Sequence, residues 1–494
     1  MPLYLIARWL ARVALEWFYR DIEVVGIDRV PRDGPLLLAV NHPNQLIDAL
    51  IVMRYVPRRA ALTAKATLFE NPVIRLLFAW YGIIPLRRTR DEAQRDPSRQ
   101  PAADRNVEAF RAILDALERR KAVLIFPEGT SHNEPHLAPL RTGLARIALQ
   151  ARDERGVRGL RIAPIGLVFE RKWAPRTRIL VHAGDPIDMD TWRPPAREGE
   201  REAPAVVASG AGVEAGGPAP AAVAALTREI DERLRATTLN FPTADDAERV
   251  LGTARILAGV FDAPRPLSAP DTPLMDEAQI ARRVAVVRSA LAVEGQPPAF
   301  AERVEGFEAR LEALRSDLEG RGIPPNDVAI SPQLAPGAWF AIREAAVIAA
   351  AGPIAWWGRL NHWLPLRLAV WLARRTSRTP EDPAMHTIVI GLILVLLAYA
   401  AQMALVWALT SPMWALLYVA SLPLAASWDF RFRERVRRAA GRMRAYFQLR
   451  GDPGLRRRLA DEIAWLREEA LALERRAQSV GVGSIAGRGD PSPE

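Results

Sequence analysis

A stretch of 42 residues from Thr387 to Trp428 contains no Asp, Glu, Lys or Arg. A single helix needs about 20 apolar residues to cross a membrane, so this stretch is long enough for two crossings. Proline cannot continue a helix, which places the break between them at Thr410-Ser411-Pro412. Trp407 and Trp414 flank that break, as is typical of side chains at a membrane interface. The sequence therefore predicts a helical hairpin over 387–428, within a membrane region over 336–430.

Arginine clusters stand on both sides of this stretch. Cytoplasmic loops carry an excess of Lys and Arg, so both ends of the hairpin are expected in the cytoplasm. A buried hairpin in a soluble protein is the alternative. A shorter apolar run, Ala345 to Gly358, contains Gly352-Pro353 and is predicted to be interfacial or re-entrant. The flanking arginines are Arg374, Arg375 and Arg378 before the stretch and Arg431, Arg433, Arg435, Arg437 and Arg438 after it.

Short apolar runs alternate with helical patterns between residues 20 and 192. Leu36 to Val40 is apolar and bounded by Gly34-Pro35 and Asn41, which is typical of a buried strand. Because strands that alternate with helices indicate an α/β fold, an α/β core is predicted over 20–192. Further strands are predicted over Val123 to Phe126, Leu160 to Phe169 and Arg178 to His182, and helices over Ile47 to Tyr55, Pro72 to Tyr81, Arg105 to Arg120 and Gly143 to Arg152.

The remaining segments differ in composition. Apolar residues recur at helical spacing in residues 1–19, which predicts an amphipathic helix at the membrane interface or packed on the core. Residues 193–222 are rich in Pro, Ala and Gly, so a flexible linker is predicted there. Helical periodicity with abundant charge predicts a helical accessory region over 223–335. Basic and amphipathic helices are predicted over 431–477, and a disordered tail over 478–494.

The first predicted strand ends just before His42. A histidine on a loop after a strand occupies a common catalytic place in α/β proteins, and it can accept a proton from an alcohol at neutral pH. Asp48 lies six residues further along the chain, which on a continuous helix would be a different face. The two side chains can meet only if His42 lies on a turn before the helix, which Pro43 favours. A purely structural His–Asp pair is the alternative.

A second predicted strand ends in the segment Phe126-Pro127-Glu128-Gly129-Thr130-Ser131-His132. Such a loop can hold a polyol and a phosphate through side-chain oxygens and backbone N–H groups, although alone it indicates only a turn. The chain has no cysteine, which excludes thiolate nucleophiles, and it shows no Gly-x-Ser-x-Gly elbow of a serine hydrolase. Pro135 interrupts the helix that would align His132 with His136, so no zinc site is expected.

These segments, with two others, resemble the conserved boxes of the glycerolipid acyltransferase superfamily. The resemblance covers residues 20–192 and implies that family's α/β core. Five residues rather than the usual four separate His42 from Asp48, as in the fungal-type glycerol-3-phosphate/dihydroxyacetone-phosphate acyltransferases and their bacterial relatives. The late hydrophobic hairpin resembles the same subgroup. The four boxes are Asn41-His42 with Asp48, Gly82 to Arg88, Phe126 to Ser131, and Ala163-Pro164-Ile165-Gly166.

The resemblance implies a direct acyl transfer. His42, oriented by Asp48, is expected to deprotonate an acceptor hydroxyl that attacks the thioester of acyl-CoA or acyl-ACP, with no acyl-enzyme and no cofactor. Arg88, helped by Arg87, is expected to hold the acceptor phosphate through bidentate hydrogen bonds. The other expected acceptor-binding residues are Glu128, Gly129, Thr130 and Lys65, the last being one of three lysines in the chain.

The implied function is acylation of glycerol-3-phosphate or dihydroxyacetone phosphate in phospholipid biosynthesis. Acylation of 1-acylglycerol-3-phosphate or another lysophospholipid is an alternative, and a non-catalytic lipid-binding membrane protein is an alternative of another class. The net charge of +10 suits anionic lipids and substrates. We expect membrane lipids, the acyl donor and the phosphorylated acceptor as partners, and neither nucleic acid nor a metal. The expected location is a bacterial-type inner membrane, with the catalytic domain on the cytoplasmic face.

Overall fold

The computed structural model describes residues 2–65, 83–86, 102–172, 174–195, 217–262, 266–291, 297–327, 330, 333–376 and 382–479. The chain divides into two compact units. The first comprises Met1–Leu15 and Asp21–Asn240 and contains the α/β core. The second comprises Glu16–Arg20 and Phe241–Glu494, and its described part is mainly helical.

The first unit combines strands and helices in alternation, so the predicted α/β core is confirmed. The predicted helix over Pro72 to Tyr81, most of the predicted linker and nearly all of the predicted tail lie outside the described residues. The elements of this unit are α1 (Pro2–Phe18, which continues into the second unit), β1 (Asp21–Val25), β2 (Leu36–Val40), α2 (Leu46–Tyr55), β3 (Ala60–Ala61), β4 (Thr63–Lys65), β5 (Ile84–Leu86), α3 (Ala102–Glu118), β6 (Ala122–Ile125), α4 (Gly143–Asp153), β7 (Arg161–Phe169), β8 (Arg178–Ala183), β9 (Ile187–Asp188) and α5 (Pro220–Thr237).

Strand β2 lies in the middle of the main sheet. The strand order is β1-β8-β7-β2-β6-β3, with β9 pairing beside β7, while β4 and β5 form a separate pair. β2 runs parallel to both of its neighbours, β6 and β7. All five of its side chains are buried, as expected for a parallel strand that is covered on both faces. This explains why its sequence is uniformly apolar instead of alternating.

The core of this unit packs helices α3, α4 and α5 against the sheet. α5 approaches β7 closely, since a Cβ atom at Gly166 would overlap the carbonyl oxygen of Thr237. A side chain at Gly166 would therefore push the helix off the strand. The largest buried members of this cluster include Leu37, Ile113, Leu117, Val123, Ile147, Leu149, Ile162, Leu226, Ile230 and Leu234.

The second unit contains a set of charged helices and a set of apolar ones. The helices of this unit are α6 (Ala244–Phe261), α7 (Leu274–Leu291), α8 (Pro298–Arg321), α9 (Leu334–Thr376), α10 (Asp382–Leu409), α11 (Pro412–Gly451) and α12 (Pro453–Ser479). Ion pairs connect α12 to α7 and α8, among them Arg303–Glu469 at 2.8 Å and Arg310–Glu462 with Nε–Oε1 at 2.9 Å.

Helices α9, α10 and α11 expose many large apolar side chains. Among the described residues, two helices are long and apolar enough to cross a membrane, Ala335–Thr376 with a mean hydropathy of 1.3 and His386–Leu409 with 2.5. The predicted break is confirmed, because α10 ends at Leu409 and α11 begins at Pro412. The placement of Ala345 to Gly358 at a membrane interface or in a re-entrant segment stays a prediction. That segment lies inside α9, which continues through Pro353 because neighbouring helices can hold the chain around a proline.

The arginines that follow the apolar stretch are paired within their own unit. Each of the five lies within 4.0 Å of a carboxylate, so their charge is partly balanced by protein groups. Exposed pairs of this kind contribute little to stability. The pairs are Arg431–Glu16, Arg433–Asp429, Arg435–Glu344, Arg437–Glu434 and Arg438–Asp271.

Candidate active site

The candidate site lies where two parallel strands end side by side. Ala39 in β2 pairs with Ile125 in β6, so the loops that follow these strands leave the sheet at the same edge. The first loop carries His42 and the second carries Glu128. The backbone N–H of His42 donates to Glu128 Oε1 at 2.6 Å. Two segments that are 86 residues apart in sequence are thereby joined at the carboxyl edge, the usual place for a site in an open α/β sheet.

His42 and Asp48 form a hydrogen-bonded pair. The distance from His42 Nδ1 to Asp48 Oδ2 is 3.0 Å, and Asp48 is completely buried in the first turn of α2. The same oxygen accepts the backbone N–H of Asn44 at 2.7 Å. His42 lies on the turn before the helix, as the sequence required. The longer spacing is accommodated by Gln45, which adopts a φ of 47°, a conformation uncommon for residues other than glycine.

The electrostatics of this pair favour a defined tautomer of His42. Burial raises the pKa of the Asp48 carboxyl above its usual value, while the hydrogen bonds from His42 and from the Asn44 backbone act in the opposite direction. When Asp48 is ionised its carboxylate can only accept hydrogen bonds, and His42 Nδ1 then carries the proton of this hydrogen bond. Nε2 is then left with its lone pair. A neutral imidazole with a free Nε2 can act as a general base.

The imidazole of His42 stacks on Phe126. The two ring centroids are 3.8 Å apart and their planes differ by 13°. Phe126 immediately follows β6, so the same strand end that delivers Glu128 also supports the histidine ring. The sequence analysis placed Phe126 in a conserved box but gave it no role, because a stacking contact between distant residues leaves no local pattern.

Glu128 is a buried carboxylate with several partners inside the protein. Besides the N–H of His42, it accepts the backbone N–H of Ala138 at 2.9 Å and contacts Nε2 of His132. Both oxygens are thus hydrogen-bonded, and the side chain connects the loop after β6 to the loop after β2. Its predicted role in positioning the acceptor stays a prediction.

Gly129 and Thr130 follow directly in the same loop. Gly129 has a φ of 74°, where glycine is favoured, and a Cβ atom there would come against the side chain of Arg141. Thr130 is exposed, and its hydroxyl donates to the carbonyl of Ser131 at 3.3 Å. The structure therefore places both residues next to Glu128 at the surface of the site.

The comparisons with known proteins concern the part of the chain that contains this candidate site. The sequence profile of the Acyltransferase family matches residues 21–168, the part of the chain that holds both loops. This segment is an acyltransferase domain of the glycerolipid acyltransferase superfamily.

Three curated relatives resemble the chain over this domain and its surroundings. An uncharacterized acyltransferase of Schizosaccharomyces pombe is 24% identical over 260 residues, which are 37% of this chain and 38% of the relative. Glycerol-3-phosphate O-acyltransferase 1 of Saccharomyces cerevisiae is 23% identical over 264 residues, 38% of this chain and 35% of the relative. The chloroplastic 1-acyl-sn-glycerol-3-phosphate acyltransferase BAT2 of Brassica napus is 24% identical over 173 residues, 35% of this chain and 44% of the relative. The matched region spans less than half the length of each relative.

Three predicted site residues of the acyltransferase domain cannot be compared with their expected positions. Arg87 and Arg88 lie outside the described residues. Lys65 is the last residue of β4, which pairs in parallel with β5, and its backbone alone is described. Their predicted contacts with a phosphate stay predictions.

Asn41 is a structural residue of the acyltransferase domain that the sequence analysis did not assign. Its side-chain amide donates to the carbonyl of Leu167 at 3.0 Å, and its Oδ1 accepts the N–H of Leu167 at 2.7 Å. The pair of bonds fixes the end of β2 to β7. Its place immediately before the histidine was visible in the sequence, but its partner on a distant strand was not.

No group of three His, Cys, Asp or Glu side chains suited to a metal occurs in the described part of the chain. His132, which with His136 would have been a zinc ligand, contacts Glu128 through Nε2. The acyltransferase domain therefore presents an acid–base pair as the chemically distinctive feature of its described residues.

Proposed function

We propose that this protein transfers a fatty acyl group from acyl-CoA or acyl-ACP to a hydroxyl of glycerol-3-phosphate or dihydroxyacetone phosphate. The observation that carries the proposal is the pair formed by His42 and the buried Asp48, with Nδ1 held and Nε2 available. The similarity to a yeast protein named as a glycerol-3-phosphate O-acyltransferase supports this acceptor class.

The chemistry needs no covalent enzyme intermediate and no cofactor. His42 Nε2 takes the proton of the acceptor hydroxyl as its oxygen attacks the thioester carbonyl. The tetrahedral intermediate then expels the thiolate, which receives that proton from the imidazolium. Asp48 keeps the ring oriented and stabilises its positive charge in between. Arg88 and Lys65 are proposed, from the family resemblance, to hold the acceptor phosphate.

A second acceptor is supported by a specific similarity. The chain also resembles a plant protein named as a 1-acyl-sn-glycerol-3-phosphate acyltransferase, which would use the same chemistry on a lipid acceptor. The intact acid–base pair argues against a non-catalytic lipid-binding protein.

One assay separates these possibilities. Purified protein in detergent is offered glycerol-3-phosphate, dihydroxyacetone phosphate or lysophosphatidate, each with a labelled acyl-CoA and, in parallel, with acyl-ACP. We expect acyl transfer to one of the first two acceptors. Transfer to lysophosphatidate alone would establish the second acceptor instead, and no transfer to any of the three would refute the proposed activity.

We further propose that the protein is anchored in a membrane, with its catalytic domain on the cytoplasmic side. The support is the apolar surface of α9 and α10, the two helices that are long and apolar enough to cross. The sequence-predicted hairpin puts Ser411 on the far side, whereas crossing by α9 and α10 alone would put it on the cytoplasmic side.

The absence of natural cysteine makes this distinction measurable. A Ser411→Cys variant in intact cells is treated with a membrane-impermeant maleimide. Labelling from outside would support the hairpin over 387–428. Labelling that requires opened membranes would instead support crossing by α9 and α10 alone.

A further inference from the structure

Three segments of the acyltransferase domain meet around His42 in a closed ring of hydrogen bonds. The segments are the loop after β2, the loop after β6 and the turn after β7. The first three bonds join His42 N–H to Glu128 Oε1 at 2.6 Å, Glu128 Oε2 to His132 Nε2, and the His132 carbonyl oxygen to Lys172 Nζ at 3.4 Å. The other three join the Lys172 carbonyl oxygen to Asn44 Nδ2 at 3.0 Å, Asn44 N–H to Asp48 Oδ2 at 2.7 Å, and Asp48 Oδ2 to His42 Nδ1 at 3.0 Å, which closes the ring.

One half of the ring controls the backbone of His42. Glu128 can only accept hydrogen bonds when it is ionised, so Nε2 of His132 is the donor in their contact. The other oxygen of Glu128 accepts the N–H of His42. His132 therefore fixes the Glu128 carboxylate, and that carboxylate fixes the main chain of His42.

The other half controls the imidazole. The carbonyl of His132 accepts the Lys172 ammonium, and the carbonyl of Lys172 accepts the Asn44 amide. Asn44 in turn donates its own N–H to Asp48, which orients the His42 ring. A movement of the turn after β7 would therefore shift both the backbone and the imidazole ring of His42.

We propose that His132 is a positioning residue for acyl transfer and that it acts by closing this ring. The inference rests on the proposed function, because it concerns the group that serves there as general base. A base works only within hydrogen-bond reach of the proton that it removes, and a misplacement of about 1 Å can cost about 100-fold in rate. His132 bonds Glu128, which bonds the main chain of His42, so its effect reaches the chemistry through these two residues.

A binding role for the ring makes a different prediction. The Lys172 ammonium could contact a phosphate of the acceptor or of the acyl donor directly. Its loss would then raise the KM for that one substrate and leave kcat nearly unchanged. A positioning role predicts the reverse, a lower kcat with both KM values retained, because substrate binding does not depend on where His42 Nε2 points.

The test compares three variants of the full chain in detergent. His132→Ala removes the donor to Glu128, and His132→Gln supplies an amide N–H that can replace it. Lys172→Met removes the ammonium but keeps the carbonyl that Asn44 uses. We expect kcat to fall about 10- to 100-fold in His132→Ala, to recover in large part in His132→Gln, and to fall less in Lys172→Met, with unchanged KM throughout.

A double variant tests whether the ring acts as one unit. His132→Ala and Asn44→Ala open the same ring at opposite sides, so their combined loss should be smaller than the product of the single losses. Independent, multiplicative losses would overturn the proposal. So would a rise in KM alone, or a glutamine variant that is no better than alanine.

A measurement without substrate separates this inference from the proposed function. The chain has six histidines, and isotope labelling of histidine allows the Nδ1–H signal of His42 to be assigned by its absence in His42→Gln. His132→Gln should retain this signal, while His132→Ala should broaden or shift it through faster exchange. An unchanged signal in His132→Ala would refute the ring. Inactive wild-type protein with the expected signals would refute the proposed function and leave the ring in place. If His132→Ala does not fold, Lys172→Met and Asn44→Ala, which open the ring at other bonds, supply the same readouts.

Discussion

The α/β unit and helices α9 to α11 distribute their side chains in opposite ways. In the α/β unit, Leu37 and Leu124 are fully buried in strands. In the apolar helices, Leu409 and Leu424 expose 75% and 74% of their surface. Soluble proteins rarely expose contiguous apolar patches of this kind unless the patch meets a membrane or a partner. The same residue type thus indicates an aqueous environment around one region and an apolar environment around part of the other.

Polar side chains show the same inversion. In the α/β unit they gather at one sheet edge, around the pair formed by His42 and Asp48. In the apolar helices they lie between helices: Tyr418 donates its hydroxyl to Asn361 Oδ1 at 2.6 Å, and it lies 3.2 Å from Gln402 Oε1. Polar groups that face neighbouring helices are the expected arrangement in lipid, where no water is available as a partner. The α/β unit thus groups polar side chains at the candidate site, whereas the apolar helices use Tyr418, Asn361 and Gln402 to contact one another.

The largest effect is expected from a substitution in the α/β unit that lowers activity and leaves the apolar helices unchanged. His42→Ala should lower acyl transfer by about 10²–10⁴-fold, because the general base is lost. The helical content and the membrane-bound fraction should be unchanged, since α9 to α11 are untouched. Initial rates with the accepted acyl acceptor, circular dichroism and membrane fractionation check these outcomes.

Asp48→Asn is the matched variant of this prediction. Its amide is nearly isosteric but cannot hold the Nδ1–H tautomer as an ionised carboxylate does, so the loss should approach that of His42→Ala. If either variant kept most of the wild-type rate, the assignment of the pair as the catalytic base would be wrong.

Matched leucine truncations test whether leucine side chains are buried in the α/β unit and exposed in the apolar helices. Leu124→Ala removes a fully buried side chain and should lower the free energy of unfolding by about 2–5 kcal/mol. Leu424→Ala truncates a side chain that is 74% exposed, and in detergent it should change that free energy by no more than about 0.5 kcal/mol. Denaturant titrations of both variants in the same detergent give the comparison, and equal losses would mean that Leu424 is covered.

A charge placed on the exposed face of α10 tests whether that face meets lipid. Leu397 is 61% exposed near the middle of α10, and Leu397→Arg should disfavour membrane insertion by about 2.5–3.5 kcal/mol. Leu471→Arg is the control, because Leu471 is 40% exposed on α12, outside the apolar helices. The fraction that resists alkaline extraction from membranes should fall in the first variant only. A fall in both would point to general misfolding.

The smallest expected effect concerns the polar contacts between the apolar helices. Tyr418→Phe removes the hydroxyl that bonds Asn361 and should cost about 0.6 kcal/mol, since such bonds are weak on average within membranes. Tyr446→Phe is the control, because its buried hydroxyl has no hydrogen-bond partner among the described residues. It should be neutral or slightly stabilising in a detergent unfolding titration. A larger loss in Tyr446→Phe would reverse the interpretation.

The elements of both units that could be predicted have patterns that are local in the sequence. The uniform burial of β2, the turn before α2 and the break before Pro412 can all be derived from neighbouring residues. The meeting of His42 with Asp48 was predicted on the condition that His42 precede the helix, and this condition is fulfilled.

The contacts that the sequence did not reveal join residues that are far apart along the chain. Phe126 under His42, Asn41 on Leu167 and His132 on Glu128 all depend on which strands become neighbours in the sheet. The continuity of α9 through Pro353 was missed for a related reason. Local propensity disfavours proline in a helix interior, and only packing by other helices overrides it.

The two bonds of Asn41 also bear on how the protein ages. A side-chain amide both donates to the carbonyl of Leu167 and accepts its N–H, and a carboxylate in the same place could do only the second. Slow hydrolysis of this amide would place a negative charge against the carbonyl oxygen of Leu167, one residue before His42. Stored preparations should therefore lose activity in proportion to deamidation at Asn41. The molecules that stay intact would be those in which both bonds between Asn41 and Leu167 had been kept.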